Sequence, residues 1–102
     1  MQNILHLSLK KSPFQLMASG EKQHEFRVPS QWIKSRLVGR EYDCVKFVNG
    51  YGSTRPFFIA EYLGYTIAQT AFVITYSTGF WVQVNKGDFI IKIGKITEGG
   101  NA

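Results

Sequence analysis

The sequence predicts a small, β-rich α+β domain, a closed or nearly closed barrel of about six strands with two short helices packed against it. Three observations carry this. The chain has 102 residues, enough for one domain with one core. Short apolar runs, some of them strictly alternating, recur between Gly-, Asn- and Ser-containing turn signals. Only two segments carry helix-start chemistry, and both are brief. A composition 44% hydrophobic and 15% aromatic supplies a packed core and excludes a disordered chain.

The first strand is Ile4 to Lys10, where Leu5, Leu7 and Leu9 take one face and His6, Ser8 and Lys10 the other. Ser12-Pro13-Phe14-Gln15 then reads as a helix start. Ser12 caps, Gln15 completes a capping box, and Pro13 suits the first helical position of a helix running from Pro13 to Ser19, ended by Gly20. Glu21 to Val28 is the second strand. Its parity puts Glu25 and Arg27 on one face and Phe26 and Val28 on the other, with the apolar pair expected to define the core side. Pro29 stops it, and Ser30 caps a second helix through Leu37 with Ile33 and Leu37 inward. Cys44 to Val48 and Phe57 to Thr66 follow as strands, separated by the turn signal Asn49-Gly50 and a loop through Pro56. Ala71 to Tyr76, Phe80 to Val84 and Phe89 to Ile96 complete the set. Residues 1–97 are expected to form the domain and residues 98–102 a flexible tail.

The formal net charge is +5, and its distribution is uneven. Residues 1–55 hold nine Lys/Arg and four acids, whereas residues 56–102 hold three of each. A basic half beside a neutral half points to an anionic partner such as RNA or a nucleotide, or to solubilising surface charge. One cysteine excludes an internal disulfide framework and a multi-cysteine zinc site. It fits a reducing compartment, and a cytoplasmic location is expected. No secretory leader is evident in Met1 to Lys11, and no run of about 18 apolar residues suggests a membrane span. No metal site and no cofactor are expected: His6, His24 and Cys44 are too scattered, and no Walker loop or His-Glu-x-x-His is present.

The densest chemistry is Gly20-Glu21-Lys22-Gln23-His24-Glu25-Phe26-Arg27, five ionisable side chains in eight residues directly after a glycine-ended helix. As binding groups, Lys22 and Arg27 neutralise phosphate while Glu25 steadies Arg27 or accepts from a base amino group. As catalytic groups, a desolvated Lys22 acts as base or nucleophile and Glu25 relays the proton. Lys22 is out of parity with Glu25, so the two meet only if the chain bends near Lys22. Glu61 lies on an apolar stripe with Phe57, Ile59 and Leu63 and is the candidate second acid, or a salt-bridged barrel carboxylate. Lys10 and Arg55 are further candidate anion contacts. Trp32 and Tyr51 are candidate stacking platforms, although most aromatics in so small a domain belong to the core.

The spacing Gly20-x-Lys22-x-x-Glu25-x-Arg27, after a strand and a short helix containing Pro13-Phe14, resembles the signature of the ASCH domain family within the PUA-like group. The likeness spans roughly residues 4–97. It implies a five- or six-stranded barrel with a cleft between barrel and helices, lined by the motif residues. Related domains bind RNA or act in RNA metabolism and transcriptional coactivation. Some small bacterial members resemble amidohydrolases of acylated pyrimidine nucleosides, and others ribonucleases. The amidohydrolase branch uses a lysine, a threonine and a glutamate. Lys22 matches the lysine, whereas Glu25 stands at the threonine position, a departure from that pattern. The resemblance thus leaves a nucleotide- or RNA-binding domain and a small hydrolase as readings, with an aromatic-rich protein-interaction surface as a third.

Overall fold

The computed structural model describes residues 3–50 and 55–100. Seven strands and two helices follow in the order β1 (Ile4–Leu9), α1 (Lys11–Ala18), β2 (His24–Arg27), α2 (Gln31–Leu37), β3 (Cys44–Asn49), β4 (Phe57–Ile67), β5 (Phe72–Thr75), β6 (Trp81–Val84) and β7 (Phe89–Gly100). Five strands form one sheet in the order β1-β3-β4-β7-β2, curled into a half-barrel. Only β1 and β3 run parallel. Register shifts along β4 and β7 give that pair its bulges, and bulges bend and over-twist a strand, which curls the sheet.

Leu5, Leu7 and Leu9 of β1, Val45 and Phe47 of β3, Phe58 and Ala60 of β4, and Phe89, Ile91 and Ile93 of β7 line the inside of the curl. Phe14 and Met17 of α1 and Ile33 and Leu37 of α2 join the same core, so both helices bury their apolar stripe there.

The second helix starts as its sequence predicts: extended Ser30 precedes it, and its hydroxyl accepts the Ile33 N–H at 3.1 Å. The first does not. Lys10 is its N-cap and makes no side-chain cap bond, so the Ser12–Gln15 box is not formed. The chain leaves β1 and enters the helix at once, and Phe14 N–H closes the first turn on Lys10 O at 3.0 Å. The helix thus starts two residues before Pro13, which is its third residue and not its first; it is still within the first turn, where its missing N–H costs nothing.

Three further expectations are corrected. The second strand begins at His24, not Glu21, because residues 20–22 are still closing α1. Gly20 has a φ of 91°, and Lys22 N–H bonds Leu16 O at 3.1 Å. Its faces are also reversed. Glu25 pairs with Ile91 and Arg27 with Phe89, both core residues, and directly paired residues share a face. Glu25 is therefore inside, whereas Val28 is 71% exposed. Phe26, on the outer face, meets Phe72 edge-on at 6.3 Å, because β5 and β6 form a separate antiparallel hairpin outside the sheet. Finally, β7 continues to Gly100, with Gly99 and Gly100 opposite Phe58 and Phe57. The backbone of β4 offers a ladder there whatever side chains β7 carries, so residues 98–100 are strand and not tail.

Candidate functional site: an ion cluster at the sheet seam

A sheet that curls without closing leaves two free edges, here β1 and β2. Neighbouring carbonyls of a strand point to opposite edges. Gln23 O accepts Ile93 N–H on the β7 side, so His24 O faces the free edge of β2. Leu9 O accepts Gly50 N–H at the end of β3, so Ser8 O faces the free edge of β1. Both exposed carbonyls are met by cations. The Lys22 ammonium donates to His24 O, and Arg27 Nη2 donates to Ser8 O at 2.9 Å.

Glu25 ties the two cations together. Its Oε1 is 3.3 Å from Lys22 Nζ and its Oε2 is 2.8 Å from Arg27 Nε. The bend at Gly20 is what brings Lys22 back onto Glu25. Lys22 is only 2% exposed. Its Nζ also lies 3.9 Å from Met17 Sδ and 5.0 Å from the centre of the Phe26 ring, whose face attracts a cation. The seam is thus closed by side chains where a full barrel would have a backbone ladder.

Two cations on one carboxylate leave the cluster with a net positive charge. Burial, which strips water from the ammonium, pushes the Lys22 pKa down; Glu25 opposes that and Arg27 adds to it. Beside it, the His24 imidazole is held below its usual range by burial and then by Lys92 and Lys22.

The β5–β6 hairpin reaches over the same stretch. The Glu21 carboxylate accepts from both Ser77 N–H (2.7 Å) and Ser77 Oγ (2.6 Å), which lowers the Glu21 pKa. Burial raises the Tyr76 phenol, and the nearby Glu25 and Glu21 charges raise it further. Ser77→Ala should therefore loosen the hairpin alone. Amide exchange at Tyr76 and Gly79 should quicken several-fold while the five-stranded sheet keeps its protection. Because Glu21 is depressed, the latch holds above its ordinary pKa of 4.5 and is lost as pH falls through the lower folded value. Equal quickening across both sheets would contradict a local latch.

The other candidate residues lie elsewhere. Among the described residues, no hydrogen bond, ion pair or ring contact joins Lys10, Trp32, Arg55 or Glu61 to the cluster. Glu61 is on the outer face of β4, since its neighbours Ala60 and Tyr62 face inward; it accepts Lys95 N–H at 2.8 Å. It lines a separate hollow of about 390 Å³ with Asp43 and Glu98, so it does not serve as a second acid beside Lys22. Lys10 is exposed at the start of α1. Trp32 is 48% exposed on α2 with the Arg36 guanidinium 4.7 Å above it. Arg55 donates to Gly50 O at 3.2 Å, and Tyr51 lies outside the described residues. Gly20 contributes its turn. Lys22, Glu25 and Arg27 do not line the four hollows described here; Lys22 and Glu25 are buried in the seam, and Arg27 reaches its surface.

Sequence reading missed Ser8, Met17, Tyr76 and Ser77. Tyr76 reads as the end of a strand and Ser77-Thr78-Gly79 only as a turn, and nothing local reveals that Glu21 would meet Ser77 from 56 residues away. Comparison of the chain with family models, curated proteins and solved structures finds no match. Among the described residues no group of three or more His, Cys, Asp or Glu side chains could hold a metal ion. No helix among them is long and apolar enough to cross a membrane.

Proposed function

We propose that the chain is an ASCH-like domain that binds RNA or a nucleotide, with the seam as its anion-binding element. The observation that carries this is the surplus positive charge: Lys22 and Arg27 share Glu25, and the Arg27 side chain remains 26% exposed. Arg27 is the cation that meets ligand phosphate. Glu25, itself paired with Lys22, holds it from behind. A preorganised guanidinium suits phosphate because its donors form a planar fork. The excess of basic residues in the first half adds long-range attraction. The single cysteine fits a cytoplasmic setting, where burial and then Asp43 keep the Cys44 thiol protonated.

Titration with single-stranded RNA oligomers across a salt series tests this. The log–log slope should be about −0.7 per phosphate neutralised. Arg27→Gln should shorten that slope by about one phosphate and weaken binding about tenfold. Salt-independent binding, or an unchanged slope in that variant, would refute the reading.

The depressed Lys22 pKa favours a second reading, a hydrolase of acylated nucleosides. A neutral Lys22 amine takes the proton of the attacking water and returns it to the leaving nitrogen, with Glu25 3.3 Å away to hold the ammonium formed between. Lys22→Ala should then abolish turnover while substrate still binds.

A further inference from the structure

Tyr62 and Tyr65 are three apart, a spacing that puts side chains on opposite faces of a regular strand. Here they face the same way. Tyr62 pairs with Ile93 and Tyr65 with Ile91, so β4 spends three residues where β7 spends two. The extra residue is a bulge, and Gly64 within it has a φ of 96°, a conformation that glycine adopts without strain. Bulges that re-aim side chains are enriched beside functional sites.

The re-aimed rings meet a third. Tyr42 and Tyr62 stand nearly perpendicular, 5.4 Å apart, and Tyr65 leans on Phe89 at 5.2 Å. The Tyr42 hydroxyl donates to Arg36 O and is thereby fixed. Burial, then Tyr65 and Tyr42, raise the Tyr62 pKa, so its ring stays neutral. The three rings line a hollow of about 570 Å³ together with Arg40, Glu41 and Asp43. A second hollow of about 750 Å³, lined by Arg40, Glu41, Tyr42 and Tyr65 among others, adjoins it. These volumes are in the range of small-molecule sites.

The mixture of signs narrows the ligand. Rings and carboxylates alone would suit a quaternary ammonium, but Arg40 on the same wall opposes a cation. A nucleotide satisfies every group: a flat base against the rings, N–H donors toward a carboxylate, and phosphate toward Arg40. One Asp43 oxygen already accepts Asn3 N–H at 2.8 Å, which leaves the exposed Glu41 as the reader. Guanine offers it adjacent N1–H and N2–H donors, whereas adenine places an acceptor at N1. We propose that this tyrosine-lined hollow is a guanine-selective base site. It shares no residue with the Lys22–Glu25–Arg27 cluster and stands whether or not that cluster binds phosphate.

The test is titration of the intact chain with GMP, AMP, CMP and UMP, followed by chemical-shift changes. GMP should bind at least about tenfold tighter than AMP, because a missing donor leaves a carboxylate unpaired. Glu41→Gln, on the surface and so without consequence for folding, should bring the two within about twofold, since an amide no longer supplies two charged acceptors. A GMP affinity that falls in Arg27→Gln but not in Glu41→Gln would move the ligand to the seam and overturn the proposal. No binding of any nucleotide at millimolar concentration, equal affinity for GMP and AMP, or binding of tetramethylammonium in place of GMP would also overturn it. A G-containing tetramer binding more tightly than GMP would identify a strand as the source of the base, and equal affinities a free nucleotide; the guanine preference is required in both.

Discussion

Glu25→Leu should cost the protein about 3–5 kcal/mol of stability, the range seen when one partner of a buried ion pair is removed. Glu25 is 6% exposed and sits between Lys22 and Arg27. Without it, the Arg27 guanidinium is left beside a Lys22 ammonium that is only 2% exposed and that water cannot reach to replace the lost charge. The change also fails locally. Leucine on the inner face of β2 would pack on Ile91, yet it brings the Lys22 ammonium and the Arg27 guanidinium no acceptor. A domain of this size has only about 5–15 kcal/mol in all, and each kcal/mol moves Tm by about 4–8 °C. The melting temperature should therefore fall by well over about 10 °C. Replacing the whole cluster, Lys22→Met with Glu25→Leu and Arg27→Met, should recover most of the loss, because an apolar triad leaves no orphan charge. If Glu25→Leu alone melts within about 2 °C of the parent, the cluster is not buried as described. If the triple variant is no better than the single one, the damage comes from packing and not from charge.

The same cluster shows what could be read from the residues and what could not. Leu5, Leu7 and Leu9 alternate because one sheet face is buried, and local pattern suffices to place them inside. Ser30 is legible for a similar reason: capping is a contact between residues three apart. Parity likewise pairs Glu25 with Arg27 on one face, but it cannot say which face is inner. The ordinary rule that apolar residues point inward chose Phe26 and Val28. It failed because a second layer, the hairpin from Phe72 to Val84, packs on Phe26 from outside while Val28, past the strand's end, stays exposed, and because the cations at the free sheet edges take their carboxylate partner from the inner face. Both causes are long-range. The bulge at Gly64 escapes sequence reading in the same way. A glycine in a strand is a hint of irregularity, yet the register that turns Tyr62 and Tyr65 together is set by β7, some 30 residues on. The candidate site side chains in this fold are thus aimed by irregularities, and irregularities are what periodicity does not encode.

Lys22 gives the second large effect, and its sign is opposite to ordinary alkaline behaviour. Its pKa in the folded chain lies below the usual 10.5, chiefly because the buried ammonium has lost its water. The unfolded chain therefore binds more protons between the folded pKa and 10.5. Stability consequently rises with pH through that window, by up to about 1.4 kcal/mol for each pH unit it spans. Below the folded pKa the cost of the buried charge is present in full. Tyr62 and Tyr76 act the other way: burial raises both phenols, so the unfolded chain loses their protons first and stability falls above about pH 10. The two contributions separate by difference. Denaturant midpoints for the parent and for Lys22→Met, measured from pH 7 to 11, should diverge most at pH 7 and converge as Lys22 loses its proton, while both decline together once the tyrosines ionise. The variant keeps Glu25 paired with Arg27, so it leaves no orphan carboxylate. Parallel curves across that range would mean that Lys22 titrates as a solvated amine does. An ammonium at ease in the seam would then have no reason to give up its proton to chemistry, and the hydrolytic reading would fall while the phosphate-binding one stood.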